Sequence, residues 1–229
     1  MKKTLTGLMI CVLCLPAGHA GETTPSIREW TPAAWYETMR LKPAGDATRG
    51  ARLAKVGYCY TCHGDQGVAP SRNAPSLAAQ NETYLYKTLL DFRSRLWWAD
   101  HKDDGMHALA RTFTKQDLAD LAAYYATRKL PTIRKVKKGD VHTEKLVRFG
   151  DPSRLVTSCA ACHGAHGEGG VNEVPRIEGQ SYLYLKRQLT LFKEGRRHND
   201  VGAGMRFVTE ALSEDELDRL ARYYANGQK

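Results

Sequence analysis

"YCYTCHGDQG" (58–67) and "SCAACHGAHG" (158–167) carry one pattern, Cys-x-x-Cys-His-Gly, twice, one hundred positions apart. The repeat extends well beyond the motif. Pro75 matches Pro175, Gln80 matches Gln180, and "YLYKTLLDF" (84–92) matches "YLKRQLTLF" (184–192). The offset slips to 99 by Met106 and Met205, and "DLADLAAYYA" (117–126) then matches "ELDRLARYYA" (216–225). Self-similarity of this length reads as two homologous units, placed at 46–130 and 142–229. Between them "LPTIRKVKKGDV" (130–141) holds a helix-stopping Pro131 and several cations. Its simplest reading is a solvated linker over 131–141.

Each unit reads as all-α. Asn81 and Ser181 are good N-caps for a middle helix. Behind them Leu85, Leu89 and Phe92, and likewise Leu185, Leu189 and Phe192, fall at i, i+4 and i+7. A last helix opens on Thr114-x-x-Asp117 or Ser213-x-x-Glu216, a capping-box pattern. Its apolar stripe is Leu118, Leu121, Ala122 and Tyr125 in one unit and Leu217, Leu220, Ala221 and Tyr224 in the other. A further helix is expected before each motif, around Asp46 to Val56 and Thr143 to Phe149, with extra loop "GDPSRLVTS" (150–158) in the second copy. No alternating strand pattern stands out. Units this small, with stripes this short, have difficulty burying enough surface unaided. The sequence asks for something large and apolar to complete each core.

The chain of 229 residues carries a formal charge of +9. Its start, "MKKTLTGLMICVLCLPAGHA", has a basic head at Lys2 and Lys3, an apolar run from Leu5 to Leu15 and a small-residue end at Gly18-His19-Ala20. Residues 1–20 read as a secretory signal, leaving 21–45 as an N-terminal extension. The alternative is a membrane anchor, but eleven helical residues span about 17 Å against a hydrocarbon core of about 30 Å. Removing two lysines leaves 9 − 2 = +7, which suits acidic partners or peripheral contact with an anionic membrane. Export and the lack of any recognition motif exclude nucleic acid.

Without Cys11 and Cys14 of the leader, four cysteines remain: Cys59, Cys62, Cys159 and Cys162. Disulfides would suit an exported chain but leave His63 and His163 unexplained. A zinc ribbon wants two Cys pairs roughly 15–20 residues apart, and a thioredoxin-like pair wants a βαβ setting; neither is present. Cys-x-x-Cys-His is the attachment signature of c-type haem. Two thiols one helical turn apart meet two vinyl groups on one porphyrin, and the adjacent imidazole reaches the iron. Two covalent haems c are therefore expected, on Cys59, Cys62 and Cys159, Cys162, with His63 and His163 as axial ligands. Met106 and Met205 recur after a glycine, in "DGMHAL" and "AGMRFV", and are expected to take the sixth positions. Core filler is the alternative reading for each. His101 and His107 flank Met106 and compete with it for the first iron; otherwise they read as exposed polar groups. His142, His166 and His198 read as surface groups and Met39 as packing. Pro75 and Pro175 each lie twelve positions after the histidine. Their carbonyls are candidate acceptors for the Nδ1–H, against the alternative of ordinary loop prolines. His/Met ligation raises the potential and closes both iron faces.

These stretches resemble cytochrome c4, a family of periplasmic dihaem cytochromes of bacteria. "CYTCHGDQG", "PSLAAQNETYLYKTLLDFRS" and "LADLAAYYA" carry the likeness in the first half; "EKLVRFGDPSRLVTSCAACHGAHGEGG", "PRIEGQSYLYLKRQLTLFKEGRR" and "ELDRLARYYA" carry it in the second. The resemblance implies two tandem class I cytochrome c domains packed face to face about a pseudo-two-fold axis, with haem propionates meeting at the interface. It implies the ligand pairs His63 with Met106 and His163 with Met205, and it supports the Pro75 and Pro175 carbonyl bonds. The implied role is periplasmic electron transfer, not enzymatic. Its partners would be a terminal oxidase, a periplasmic dehydrogenase or a membrane quinol-oxidising complex. A peroxidase-like dihaem enzyme and a dedicated dehydrogenase or oxidase subunit are the alternatives. Residues 21–45 depart from the family pattern, although Thr31-Pro32 could start a short helix bearing Trp35 and Met39. Trp97 and Trp98 stand where the second half has "GRRHND". Packing against the extension is the expected role of the two indoles, with a partner surface as the alternative.

Overall fold

The computed structural model describes residues 29–97, 103–131 and 140–225. The leader, the start of the extension, Trp98, His101 and most of the linker lie outside them. Each capping signal in the sequence starts a helix. The extension contributes α1 (Pro32–Arg40), begun by Thr31. The first domain follows with α2 (Ala47–Val56), α3 (Tyr60–His63), α4 (Glu82–Ser94), α5 (Asp104–Ala110) and α6 (Lys115–Ala126). The second repeats it with α7 (Val141–Phe149), α8 (Cys159–His163), α9 (Tyr182–Lys193), α10 (Gly204–Glu210) and α11 (Glu214–Ala225). The extra loop of the second copy holds a 3₁₀ turn, Pro152–Arg154, closed by an Asp151–Val156 bridge. No strand forms among the described residues.

The apolar stripes face one another as their spacing requires. In the first domain α6 lies against α2 and α4, burying Leu85, Tyr86, Leu90, Leu118, Leu121 and Tyr125. In the second α11 lies against α9 and α7, burying Leu146, Leu185, Leu217, Leu220 and Tyr224. The α2–α6 crossing is close enough to demand glycine. A Cβ on Gly50 would sit 2.0 Å from the Asp120 carbonyl oxygen.

The extension is built into the fold. Trp30 is 1% exposed, and its indole N–H donates to Asp91 of α4. Its backbone carbonyl accepts from Gly202 in the second domain, and Glu29 pairs with Arg206 there. Asp91 also pairs with Lys87 and accepts from Asn199, whose carbonyl accepts from Lys87 in turn. Thus α1 and its leading residues strap the two domains together. Trp35 and Met39 pack there with Leu96, as the helix expected at Thr31-Pro32 would place them. Trp97 does not join them. It stacks on Phe92 at 4.8 Å, and the Arg197 guanidinium of the second domain lies 3.8 Å from its ring centroid. The expected packing of Trp97 on the extension is corrected: a cation from the other domain draws the indole face inward.

Candidate haem sites

Cys59, just before α3, already has helical backbone angles (φ −58°, ψ −31°), so Cys59 and Cys62 lie one turn apart. Cys159 opens α8 and Cys162 follows it by the same turn. The four form no disulfide; Cys59 and Cys159 are half-buried, Cys62 and Cys162 exposed. Burial pushes the Cys159 thiol up to about 11 and the Cys59 thiol in the same direction.

His63 and His163 end these short helices and are buried. His63 Nδ1 lies 2.8 Å from the Pro75 carbonyl oxygen, and His163 Nδ1 lies 2.9 Å from that of Pro175. A carbonyl only accepts, so Nδ1 carries the proton and Nε2 keeps the lone pair. Burial lowers both imidazole pKa values, with the proline carbonyl opposing it more weakly. Each ring is therefore a neutral donor with one free nitrogen, the form that ligates a metal. The glycine after each histidine is structural: Gly64 and Gly164 have φ of +76° and +83°, and a Cβ on Gly64 would meet the Val68 carbonyl oxygen at 2.1 Å. Two thiols and a tautomer-fixed imidazole per domain fit covalent haem c. No cluster of three or more His, Cys, Asp or Glu suited to another metal occurs among the described residues.

Met106 and Met205 occupy equivalent first turns of α5 and α10, which pack on α4 and α9 respectively. Both are half-buried. Met106 packs against Phe92, Trp97 and Ala110. His107 is not the exposed group its polarity suggests. It is 2% exposed, edge-on to Phe92, and its Nδ1 donates to the Phe92 carbonyl at 2.7 Å. The same carbonyl, in the last turn of α4, also accepts from the Arg95 backbone N–H, so the ring adds a second bond there. His166 is exposed as expected, and His142 is exposed but bonded to Glu216; His198 is half-buried. His101 lies outside the described residues.

The sequence repeat also hid a pair of interface side chains. Gln80 and Gln180, both 5% exposed, reach across the domain boundary. Gln180 bonds both backbone groups of Ser76, and Gln80 bonds both backbone groups of Arg176. Asn81 donates to the Gly170 carbonyl and Ser181 to the Arg72 carbonyl, so the contacts repeat under a pseudo-two-fold operation. Recurrence just before an N-cap was the signal available in the sequence; the role needed the interface.

A family model for cytochrome c matches residues 47–129 and 153–227. The chain is 36% identical over 188 residues to cytochrome c4 of Azotobacter vinelandii, covering 79% of this chain and 88% of the relative. It is 30% identical over 210 residues to the thiosulfate dehydrogenase electron acceptor of Stutzerimonas stutzeri (strain A1501), covering 86% and 95%. The structure is similar to that of reduced recombinant cytochrome c4 from Pseudomonas stutzeri, with a TM-score of 0.66 and 34% identity over 80% of this chain and 99% of that one.

Proposed function

The chain belongs to the cytochrome c4 family, and we propose that its two haems are held by Cys59, Cys62, His63, Met106 and by Cys159, Cys162, His163, Met205. It is a dihaem electron-transfer protein, a carrier and not an enzyme, with covalently bound haem c in its two cytochrome c domains. When bound, each haem supplies a one-electron ferric–ferrous couple.

The residues of the chain do the rest. The two thiols of each motif tether the group, the neutral imidazole Nε2 donates to one iron face, and the thioether is placed to close the other. Pro75 and Pro175 hold the ring planes and raise ligand basicity. The observation that carries this reading is the paired geometry of His63 with Pro75 and His163 with Pro175.

Exported through its leader, the protein would work in the periplasm. There it would take electrons from a dehydrogenase and pass them to a terminal acceptor. A thiosulfate-oxidising dehydrogenase is the first candidate donor, since one relative covering most of the chain bears that role in its name. No described helix is long and apolar enough to cross a membrane.

Potentiometric titration of the full chain, followed by magnetic circular dichroism with and without carbon monoxide, tests the site. Two low-spin His/Met centres that ignore carbon monoxide are expected. One haem per chain, or a high-spin centre that takes up the gas, sinks the reading. Stopped-flow mixing with a reduced thiosulfate dehydrogenase tests the donor separately.

A further inference from the structure

The peptide group joining Pro75 to Ser76 is bonded at both ends. Its carbonyl accepts the Nδ1–H of His63 at 2.8 Å, and its N–H donates to Gln180 Oε1 at 2.9 Å. Gln180 belongs to the other domain. Its Nε2 donates to the Ser76 carbonyl at 2.6 Å, so both halves of the amide are fixed. The peptide joining Pro175 to Arg176 repeats the arrangement. Its carbonyl accepts from His163 at 2.9 Å, and its N–H donates to Gln80 Oε1 at 2.7 Å. Gln80 Nε2 returns a bond to the Arg176 carbonyl at 2.9 Å.

We propose that Gln180 tunes the axial histidine of the first domain and Gln80 that of the second, each through one peptide group across the domain boundary. The inference rests on the ligation proposed for His63 and His163. An acceptor on an amide N–H increases the negative charge on the same amide's oxygen, so bonds in such a chain strengthen one another, the more so in a dry interface. Both glutamines and Ser76 are buried there. A stronger carbonyl acceptor draws the Nδ1 proton and makes Nε2 a better donor to iron. A better donor favours the ferric state, which lowers the potential. Each haem's potential thus depends on the partner domain being docked.

This arrangement predicts crossed effects that simple interface glue does not. In the reduced protein, where low-spin iron is diamagnetic, the two axial Nδ1 protons are read by NMR and the two potentials by titration. Gln180→Leu is expected to move the His63 Nδ1 proton upfield and raise the first haem's potential, leaving the second nearly unchanged. Gln80→Leu should give the mirror image. Gln180→Glu keeps an acceptor on the Ser76 N–H and, with its buried carboxyl protonated, a donor to the Ser76 carbonyl, so it should hold the His63 proton near its wild-type position. It also serves if the leucine variants fail to assemble.

A variant that shifts its own domain's histidine more, that shifts both alike or that shifts neither overturns the proposal while leaving the ligation intact. Absence of two axial imidazole signals in the unaltered protein sinks the ligation itself, and this inference with it.

Discussion

His63 and His163 have their Nδ1 protons committed to carbonyls, so each ring has one nitrogen left to give. The methionines have no such commitment; their case rests on equivalent places on α5 and α10. Met106→Ala and Met205→Ala should each let one haem take up carbon monoxide, and absorbance changes should show one site reacting per variant. His107 shares the arrangement of His63 and His163, with Nδ1 on a backbone carbonyl and a buried Nε2 that has no hydrogen-bond partner, and so needs its own test. Its ring closes the end of α4 through the Phe92 carbonyl and fills space beside that aromatic ring. His107→Ala should leave both haems closed to carbon monoxide yet cost about 1–3 kcal/mol in denaturant unfolding, from the lost hydrogen bond to Phe92 and the space left beside its ring. Uptake of carbon monoxide by the first haem in His107→Ala, with Met106→Ala inert, would reverse the assignment. Sequence spacing could not separate these neighbours, because adjacent helical residues point about 100° apart and only packing shows which face meets what.

The α6 and α11 helices begin alike. Thr114 and Asp117 close one capping box, and Ser213 and Glu216 exchange the same bonds in the other. In each case an arginine from elsewhere in the same domain, Arg49 or Arg154, grips the acidic member. The Arg154 guanidinium holds the Glu216 carboxyl far below its ordinary value of 4.5. A depressed native pKa adds stability above the unfolded value, and that stability drains away as pH falls below it. The stability gap between the natural chain and Arg154→Ala should therefore be widest at neutral pH and shrink as the pH drops below about 4.5, where unfolded carboxylates protonate. Thermal melts across that range check it; a gap that widens in acid would contradict the ion-pair role. The α2–α6 crossing offers a steric test. Gly50→Ala drives a methyl into the Asp120 carbonyl, so a loss of about 1–3 kcal/mol is expected from overpacking, read as a lower denaturation midpoint. Caps and stripes were legible in the sequence because they are contacts between residues three or four apart. The helix-crossing demand on Gly50 was not, since its partner lies seventy residues on.

Two devices stand out among the contacts that hold the two similar domains in one arrangement. The glutamine clasps are symmetric and sit beside the histidine loops. The extension is asymmetric: Trp30 ties Asp91 of the first domain to Gly202 of the second, just ahead of Met205. Trp30→Ala removes a buried indole and leaves the Asp91–Lys87–Asn199 network short of a donor. It should cost about 3–5 kcal/mol. On heating the holoprotein, the red absorption band expected of thioether ligation should fade at the second haem, where Met205 is the proposed ligand, before it fades at the first. Equal fading of both, or no change in melting, would deny the strap its role. Trp30 and Trp35 of the extension are buried within the chain.

The all-α class, the doubled architecture and the two haems could be read from the linear chain, because each follows from residue types at short fixed spacings repeated once; the six attachment and imidazole residues proposed to hold the haems were named from the same spacings. The clasp of Gln180 on Ser76 spans 104 residues, and the bond of Trp30 to Asp91 spans 61. Spacing carries no signal for such pairs. They arise where two folded surfaces meet and leave buried polar groups that must be satisfied, and there a glutamine noted only as a repeat becomes a link between one domain and the other's histidine.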